Sequence, residues 1–107
     1  MWHQAHYDSL TNLPNRKFFI KNLTQALTLA AQNDSLLAIL YIDLDGFKAV
    51  NDDFGHAAGD ELLIKAAQRI NKNIRSTDHA ARLGGDEFTV ILTNIRDSTA
   101  ARTVAEK

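Results

Sequence analysis

The sequence predicts an α/β fold of the α+β sandwich type, a mixed sheet with helices packed on it. Three observations lead there. Apolar residues recur at helical spacing over 14–32 and again over 58–74. Between these stretches lies a short, nearly continuous apolar run, Leu36 to Ile42. Further on, two strand-like runs, Ala80 to Leu83 and Phe88 to Thr93, flank Gly84-Gly85. The order is helix, strand, helix, strand, strand, helix, and a helix between the first strand and the hairpin favours helices layered on a sheet.

Each element has its own local reason. Residues 1–13 are polar and mixed, with Asp8, Ser9, Thr11 and Asn12 as turn and cap formers. Pro14 suits the first turn of a helix, where a missing N–H costs nothing. Phe19, Leu23, Ala26, Leu27 and Ala30 then mark one helical face, and Asn33-Asp34-Ser35 ends it. Leu36 to Ile42 reads as a strand buried on both faces, ending in Asp43-Leu44-Asp45-Gly46. A Gly/Asn/Asp-rich stretch, Asn51-Asp52-Asp53-Phe54-Gly55-His56, follows with no element assigned to it. Leu63, Ala66, Ala67, Ile70 and Ile74 mark the second helix. Gly84-Gly85 reads as a hairpin turn. Asp97 or Ser98 can cap a last helix. Three strands make a thin sheet, and a fourth is expected.

Composition bounds the function. A chain of 107 residues is one domain at most, with room for a single core. No apolar run approaches bilayer-spanning length, and Met1-Trp2-His3-Gln4 does not open a signal peptide. The absence of cysteine excludes disulfides and thiolate metal sites and suits a reducing compartment without proving one; a cytoplasmic segment without membrane contact is expected, either by itself or as the cytoplasmic domain of a larger, membrane-bound regulator. A net charge of -1 without a Lys/Arg block argues against nucleic-acid binding. Placement of charge says more than its sum: nine of the thirteen acids lie between Asp43 and Glu87. That clustering fits a cation site, and it also fits a solvated acidic face.

Asp43 directly follows the first strand, and ligands of α/β sheets gather at the carboxyl ends of strands. Asp86 and Glu87 sit at a hairpin able to lie beside that end. Carboxylates converging there repel one another unless a cation is bound. Mg²⁺ (or Mn²⁺) is the natural candidate, because it takes oxygen ligands and is completed by water and substrate phosphates. Without cysteine or an HExxH-type spacing, zinc is disfavoured. Asp-x-Asp-Gly is also common in ordinary loops. A calcium loop is excluded, since glycine stands fourth and lysine sixth from Asp43.

Four segments carry a further signal: Asp8-Ser9-Leu10-Thr11-Asn12-Leu13-Pro14-Asn15-Arg16, Asp43-Leu44-Asp45-Gly46-Phe47-Lys48, the stretch from Asn51 through Gly59-Asp60, and Arg82-Leu83-Gly84-Gly85-Asp86-Glu87-Phe88. In this order and spacing they resemble the GGDEF family of diguanylate cyclases, enzymes that condense two GTP into cyclic di-GMP and pyrophosphate. The resemblance implies a nucleotidyl-cyclase, palm-like sheet. It implies Asp43 and Asp86 as Mg²⁺ ligands, with the Leu44 carbonyl. Glu87 would serve the metal and the reacting 3′-hydroxyl. Amides around Gly46 and Phe47, with Lys48, would hold the β- and γ-phosphates. Asn51 and Asp60 would read guanine, and Gly84 and Gly85 would leave space for the nucleotide. Arg75-Ser76-Thr77-Asp78, with five residues between Asp78 and Gly84, stands at the offset of the family's inhibitory cyclic di-GMP site.

Plainer readings accompany these. Lys48 reads equally as a solvated side chain, His56 as structural, Asp45, Asp52 and Asp53 as turn caps, Arg16 as a tie between the first helix and the body, and Arg75/Asp78 as an exposed salt bridge. A catalytically inactive module binding GTP or cyclic di-GMP is the alternative function. Degenerate relatives usually lose the pentapeptide acids, which this chain keeps. The resemblance also implies a partial domain over 1–107, with residues 1–7 ending an upstream linker helix and the family's C-terminal strand and helix absent. It implies GTP, a catalytic homodimer and an upstream sensory or receiver domain as partners.

Overall fold

The computed structural model describes residues 5–95. Helix α1 spans Arg16–Asn33, strand β1 Leu36–Asp43, helix α2 Phe47–Phe54, helix α3 His56–Asn73, strand β2 His79–Gly84 and strand β3 Glu87–Ile95. The expected last helix at Asp97 or Ser98 lies outside the described residues.

The strands form one sheet in the order β1-β3-β2. Both outer strands run antiparallel to β3. The sheet is therefore antiparallel throughout its described part, where a mixed sheet was expected. β1 and β2 run in the same direction with β3 between them, a split β-α-β arrangement joined by α2 and α3.

Alternation along the strands gives the sheet two apolar faces. Phe88, Val90 and Leu92 of β3 join Ala80, Leu40 and Ile42 on one face, covered by Leu63 and Ala67 of α3 and by Phe47 of α2. Ile91, Ala81, Ile39 and Leu83 form the other face, covered by Phe19, Leu23 and Ala26 of α1. β3 is the core strand: Phe88 to Leu92 are all buried. β1, expected to be buried on both faces, lies at the sheet edge. Five of its residues are half-buried, while Leu36, Tyr41 and Asp43 are exposed, Tyr41 by 75%. A two-sided apolar pattern suits a central strand, but among the described strands that place is taken by β3.

The start of α1 and the whole of α2 differ from expectation. Asn15, not Pro14, opens α1: its side chain accepts from the Phe18 amide at 3.1 Å. Pro14 stands before the cap, bridged to Tyr7, and its carbonyl accepts from the Arg82 amide. α2 is an element the sequence did not signal. Asn51, Asp52 and Asp53 are poor helix formers, yet Phe47 packs into the core and holds the segment helical. Gly55, at φ 91°, turns the chain directly from α2 into α3, a conformation that favours glycine.

Candidate active site

Strand register brings the predicted acids together. Asp43, the last residue of β1, is paired with Glu87, the first of β3, and Glu87 is paired on its other side with Gly84. Directly opposed residues of antiparallel strands hold their Cβ atoms about 4.5–5.5 Å apart, and like charges placed so repel. Asp86 stands in the turn next to them, half-buried. Neither Asp43, Asp86 nor Glu87 has a cationic partner among the described residues. Also among the described residues, no three His, Asp or Glu side chains converge closely enough to cage a metal by themselves.

The donor set fits magnesium: two carboxylates and a carbonyl are hard oxygen ligands, and Mg²⁺ commonly takes one or two carboxylates with water and substrate phosphates completing it. The opposed Asp43 and Glu87 charges give such a cation an electrostatic reason to bind. The Leu44 carbonyl accepts from the Phe47 amide at 3.3 Å and keeps a second lone pair.

Immediately beyond, Gly46 caps α2 at φ 78° with no side-chain hydrogen bond to the first turn. The leading amides of α2 therefore lack a side-chain acceptor, and such an end attracts phosphate. Lys48, the second residue of that helix, is exposed. One turn further, the Asn51 Oδ1 is buried without a hydrogen-bond partner. The Asn51 side chain lies over Gly59, where any added methyl would collide with it. Asp60 follows Gly59 on α3 and is exposed. The fold thus gathers an unsatisfied amide oxygen, a nearby carboxylate and a helix N-terminus beside the end of β1.

The hairpin is open. Gly84 (φ 146°) and Gly85 (φ 51°) hold backbone conformations that side-chain-bearing residues rarely adopt, and a methyl on either would touch nothing within 4 Å. A clasp that sequence reasoning missed holds this turn. Arg82 donates through Nε (3.0 Å) and Nη2 (2.9 Å) to the Gly85 carbonyl, and through Nη1 (2.9 Å) to Asp8 Oδ1. The other Asp8 oxygen accepts from the Thr11 amide and hydroxyl at 2.8 and 2.7 Å. Burial pushes the Asp8 carboxyl up, but the Thr11 hydrogen bonds and the Arg82 charge outweigh it and leave the pKa lowered. Asp8 and Arg82 are 74 positions apart, so no local sequence signal could pair them.

Arg75 and Asp78 are more than an exposed salt bridge. The Asp78 side chain is fully buried. It accepts from Arg75 Nε (3.1 Å), Nη2 (3.0 Å) and the Arg75 amide (2.9 Å), and from the Thr93 amide (3.2 Å). Arg75 Nη2 also donates to the Thr93 carbonyl. Burial raises the Asp78 pKa, while the Arg75 and Thr93 hydrogen bonds lower it further than burial raises it. Asp78 thus fixes the α3–β2 loop to β3 and holds the half-exposed Arg75 guanidinium in place.

Of the remaining candidates, Asp45 does stand in a turn, whereas Asp52 and Asp53 lie within α2 and cap nothing. His56 is exposed at the start of α3. The Arg16 side chain, expected to tie α1 to the body, makes no hydrogen bond or ion pair among the described residues.

Comparison with known proteins agrees with this layout. The family described as diguanylate cyclase, GGDEF domain, matches residues 5–107. Diguanylate cyclase TpbB of Pseudomonas aeruginosa is 50% identical over 104 residues, covering 97% of this chain and 24% of TpbB. The chain therefore spans about a quarter of the length of that relative. The solved GGDEF domain of TpbB superposes with a TM-score of 0.91 at 48% identity, covering 94% of this chain and 59% of that one. The coiled coil and GGDEF domain of DgcB from Caulobacter crescentus, solved in complex with c-di-GMP, gives a TM-score of 0.88 at 34% identity, over 98% of this chain and 55% of that one. With this fold and these residues in register, the chain belongs to the GGDEF family of diguanylate cyclase domains.

Proposed function

We propose that this chain is the GTP-binding, catalytic part of a diguanylate cyclase that condenses two GTP into cyclic di-GMP and two pyrophosphates. The observation that carries the reading is the register pair Asp43–Glu87, set beside Asp86 in an open glycine turn and next to the uncapped N-terminus of α2. The alternative, an inactive module, does not need two opposed and unpaired carboxylates.

Each residue has a physical task. Asn51 and Asp60 receive guanine: an aspartate accepts from its N1–H and N2–H₂ edge, which adenine lacks, and an asparagine both donates and accepts. The α2 amides after Gly46 and the Lys48 ammonium hold the β- and γ-phosphates. Asp43, Asp86 and the Leu44 carbonyl hold Mg²⁺ or Mn²⁺. The bound ion would neutralise phosphate charge and lower the pKa of a coordinated hydroxyl. Glu87 orients the 3′-hydroxyl and takes its proton as the 3′-oxygen bonds to the α-phosphorus of the other GTP and pyrophosphate leaves. Positioning and electrostatics carry such a transfer.

One domain holds one GTP, so two copies must face each other for both 3′-hydroxyls to attack. Dimerisation driven by an upstream sensory or receiver domain sets the rate, and the domain works in the cytoplasm. Among the described residues, no helix is long and apolar enough to cross a membrane. Arg75, held by Asp78, presents its exposed edge to cyclic di-GMP and mediates product inhibition; its guanidinium suits phosphate and guanine acceptors.

The test is to incubate the complete protein with GTP and Mg²⁺ and assay cyclic di-GMP. Product that vanishes in Asp86→Ala and is not matched with ATP supports the cyclase. Tight GTP binding without product from a dimeric sample would favour the inactive module.

A further inference from the structure

The two faces of the sheet divide the site in a way that leaves one charged side chain unused. The groups assigned to a domain's own nucleotide, Asn51, Asp60 and the α2 amides, belong to α2 and α3, whose apolar residues pack on the face of Phe88 and Val90. Asp43 and Glu87 belong to the other face. Alternation puts Asp43 in line with Tyr41 and Ile39, and Glu87 in line with Thr89 and Ile91, on the face covered by α1. At this end of the sheet a cleft of about 310 Å³ is lined by Asp43, Glu87, Ile42 and Phe88 together with Arg16 and Phe19 of α1. Arg16 is the first residue of α1, is exposed, and pairs with nothing among the described residues.

An arginine beside two carboxylates would ordinarily pair with one of them. Here neither carboxylate lies within ion-pair distance of a cation among the described residues. The guanidinium fork therefore remains open to a second anion, and its planar geometry matches a phosphate. The β- and γ-phosphates of the domain's own GTP are assigned to the α2 amides and Lys48, and none of these residues lines the cleft. The condensation requires a second nucleotide to meet the 3′-oxygen at these carboxylates, and its phosphate is an anion brought to this cleft.

We propose that Arg16 contacts a phosphate of the nucleotide presented by a second copy of this domain, and that it acts on the transfer step and not on capture of the domain's own GTP. The inference rests on the cyclase reading above.

The test uses the complete protein with GTP and Mg²⁺, comparing wild type, Arg16→Ala, Arg16→Gln, Arg16→Lys and Lys17→Ala. Lys17 is exposed one position along and absent from the cleft lining, so it controls for the loss of a positive charge. Alongside turnover, calorimetry measures binding of α,β-methylene GTP, which cannot be condensed. For Arg16→Ala, the expected result is a kcat lower by roughly 10- to 100-fold with analogue affinity within about 2-fold of wild type. Arg16→Lys should lie between, and Lys17→Ala should match wild type. Thermal melts report folding; if Arg16→Ala is unfolded, Arg16→Gln and Arg16→Lys carry the comparison. Turnover by the Arg16 variants equal to that of Lys17→Ala overturns the inference. So does a loss of analogue affinity that accounts for the whole drop in kcat/KM, since Arg16 would then serve the domain's own nucleotide. If the wild-type protein makes no cyclic di-GMP, the cyclase reading fails and the inference with it. If the wild type is active and Arg16→Ala unimpaired, the inference alone fails.

Discussion

Asp43 and Glu87 face each other across the ends of two strands, and nothing among the described residues neutralises either. Glu87→Gln keeps the shape but removes the charge and the proton acceptor. In the cyclase reading it should lower kcat by at least about 100-fold, while a melt without nucleotide should be unchanged or slightly higher, because a like-charge pair has been relieved. Asp60→Asn tests guanine recognition. Replacing an ionic acceptor should weaken GTP binding by roughly 10- to 100-fold, as expected for a charge-assisted hydrogen bond of about 1.5–3 kcal/mol, with little change for ATP; calorimetry reads both. Asp78 belongs to stability before function. Its lowered folded pKa means that its contribution is complete above the ordinary carboxylate value near 4 and disappears as pH falls through the lower folded value. Asp8 has the same sign. Wild-type stability should therefore fall below about pH 4. Asp78→Asn should flatten that fall and cost about 2–3 kcal/mol at pH 7, since it weakens the bonds to Arg75 while leaving the side chain buried. Urea denaturation at several pH values measures this.

At the scale of elements, the β2–β3 hairpin is held by the Asp8–Arg82–Gly85 clasp and by two glycines in conformations that suit little else. Gly84→Ala meets no steric obstacle, so its cost is conformational, about 1–3 kcal/mol. A thermal melt should show it even though the new methyl touches nothing. Asp8→Asn leaves every proposed substrate contact in place but loosens Arg82 and, through it, the turn carrying Asp86 and Glu87. The expected signature is a lower kcat with an unchanged affinity for nucleotide. Helices α1 and α3 were legible because a core-facing helix repeats its apolar residues at helical spacing. α2 was not, because Asn51, Asp52 and Asp53 disfavour helix locally and Phe47 overrides them only through a contact with distant residues. The apolar run of β1 correctly signalled a strand. It could not signal an edge position, because periodicity records which faces are apolar and not which neighbours are present.

For the molecule as a whole, β1 is an edge strand of the described sheet. A groove of about 510 Å³ runs between it and α3, lined by Leu40, Ile42, Leu44, Ala66, Ile70 and Ile74. Unpaired strand edges beside apolar surface invite association. The 107-residue chain should therefore elute above its monomer mass at high concentration. Size-exclusion chromatography with light scattering decides this. Much of the candidate site could be assigned from the sequence, since Asp43, Asn51, Asp60, Asp86 and Glu87 stand in motifs whose order resembles the GGDEF pattern. What could not be assigned was the face of the sheet on which Asp43 and Glu87 stand, or the hold of Arg82 on the turn beside them.

By itself the sequence determined the helices α1 and α3, the three strands, the hairpin turn, the acid set and the family resemblance. All of these depend on side-chain type at fixed spacing, which a linear chain displays directly. Tertiary structure decided the antiparallel pairing around β3, the edge position of β1, the helical state of α2, the burial of Asp78 and the Asp8–Arg82 clasp. Each of these arises from a contact between residues far apart in the chain, where packing and desolvation outweigh local preference, and no short stretch of sequence contains both partners.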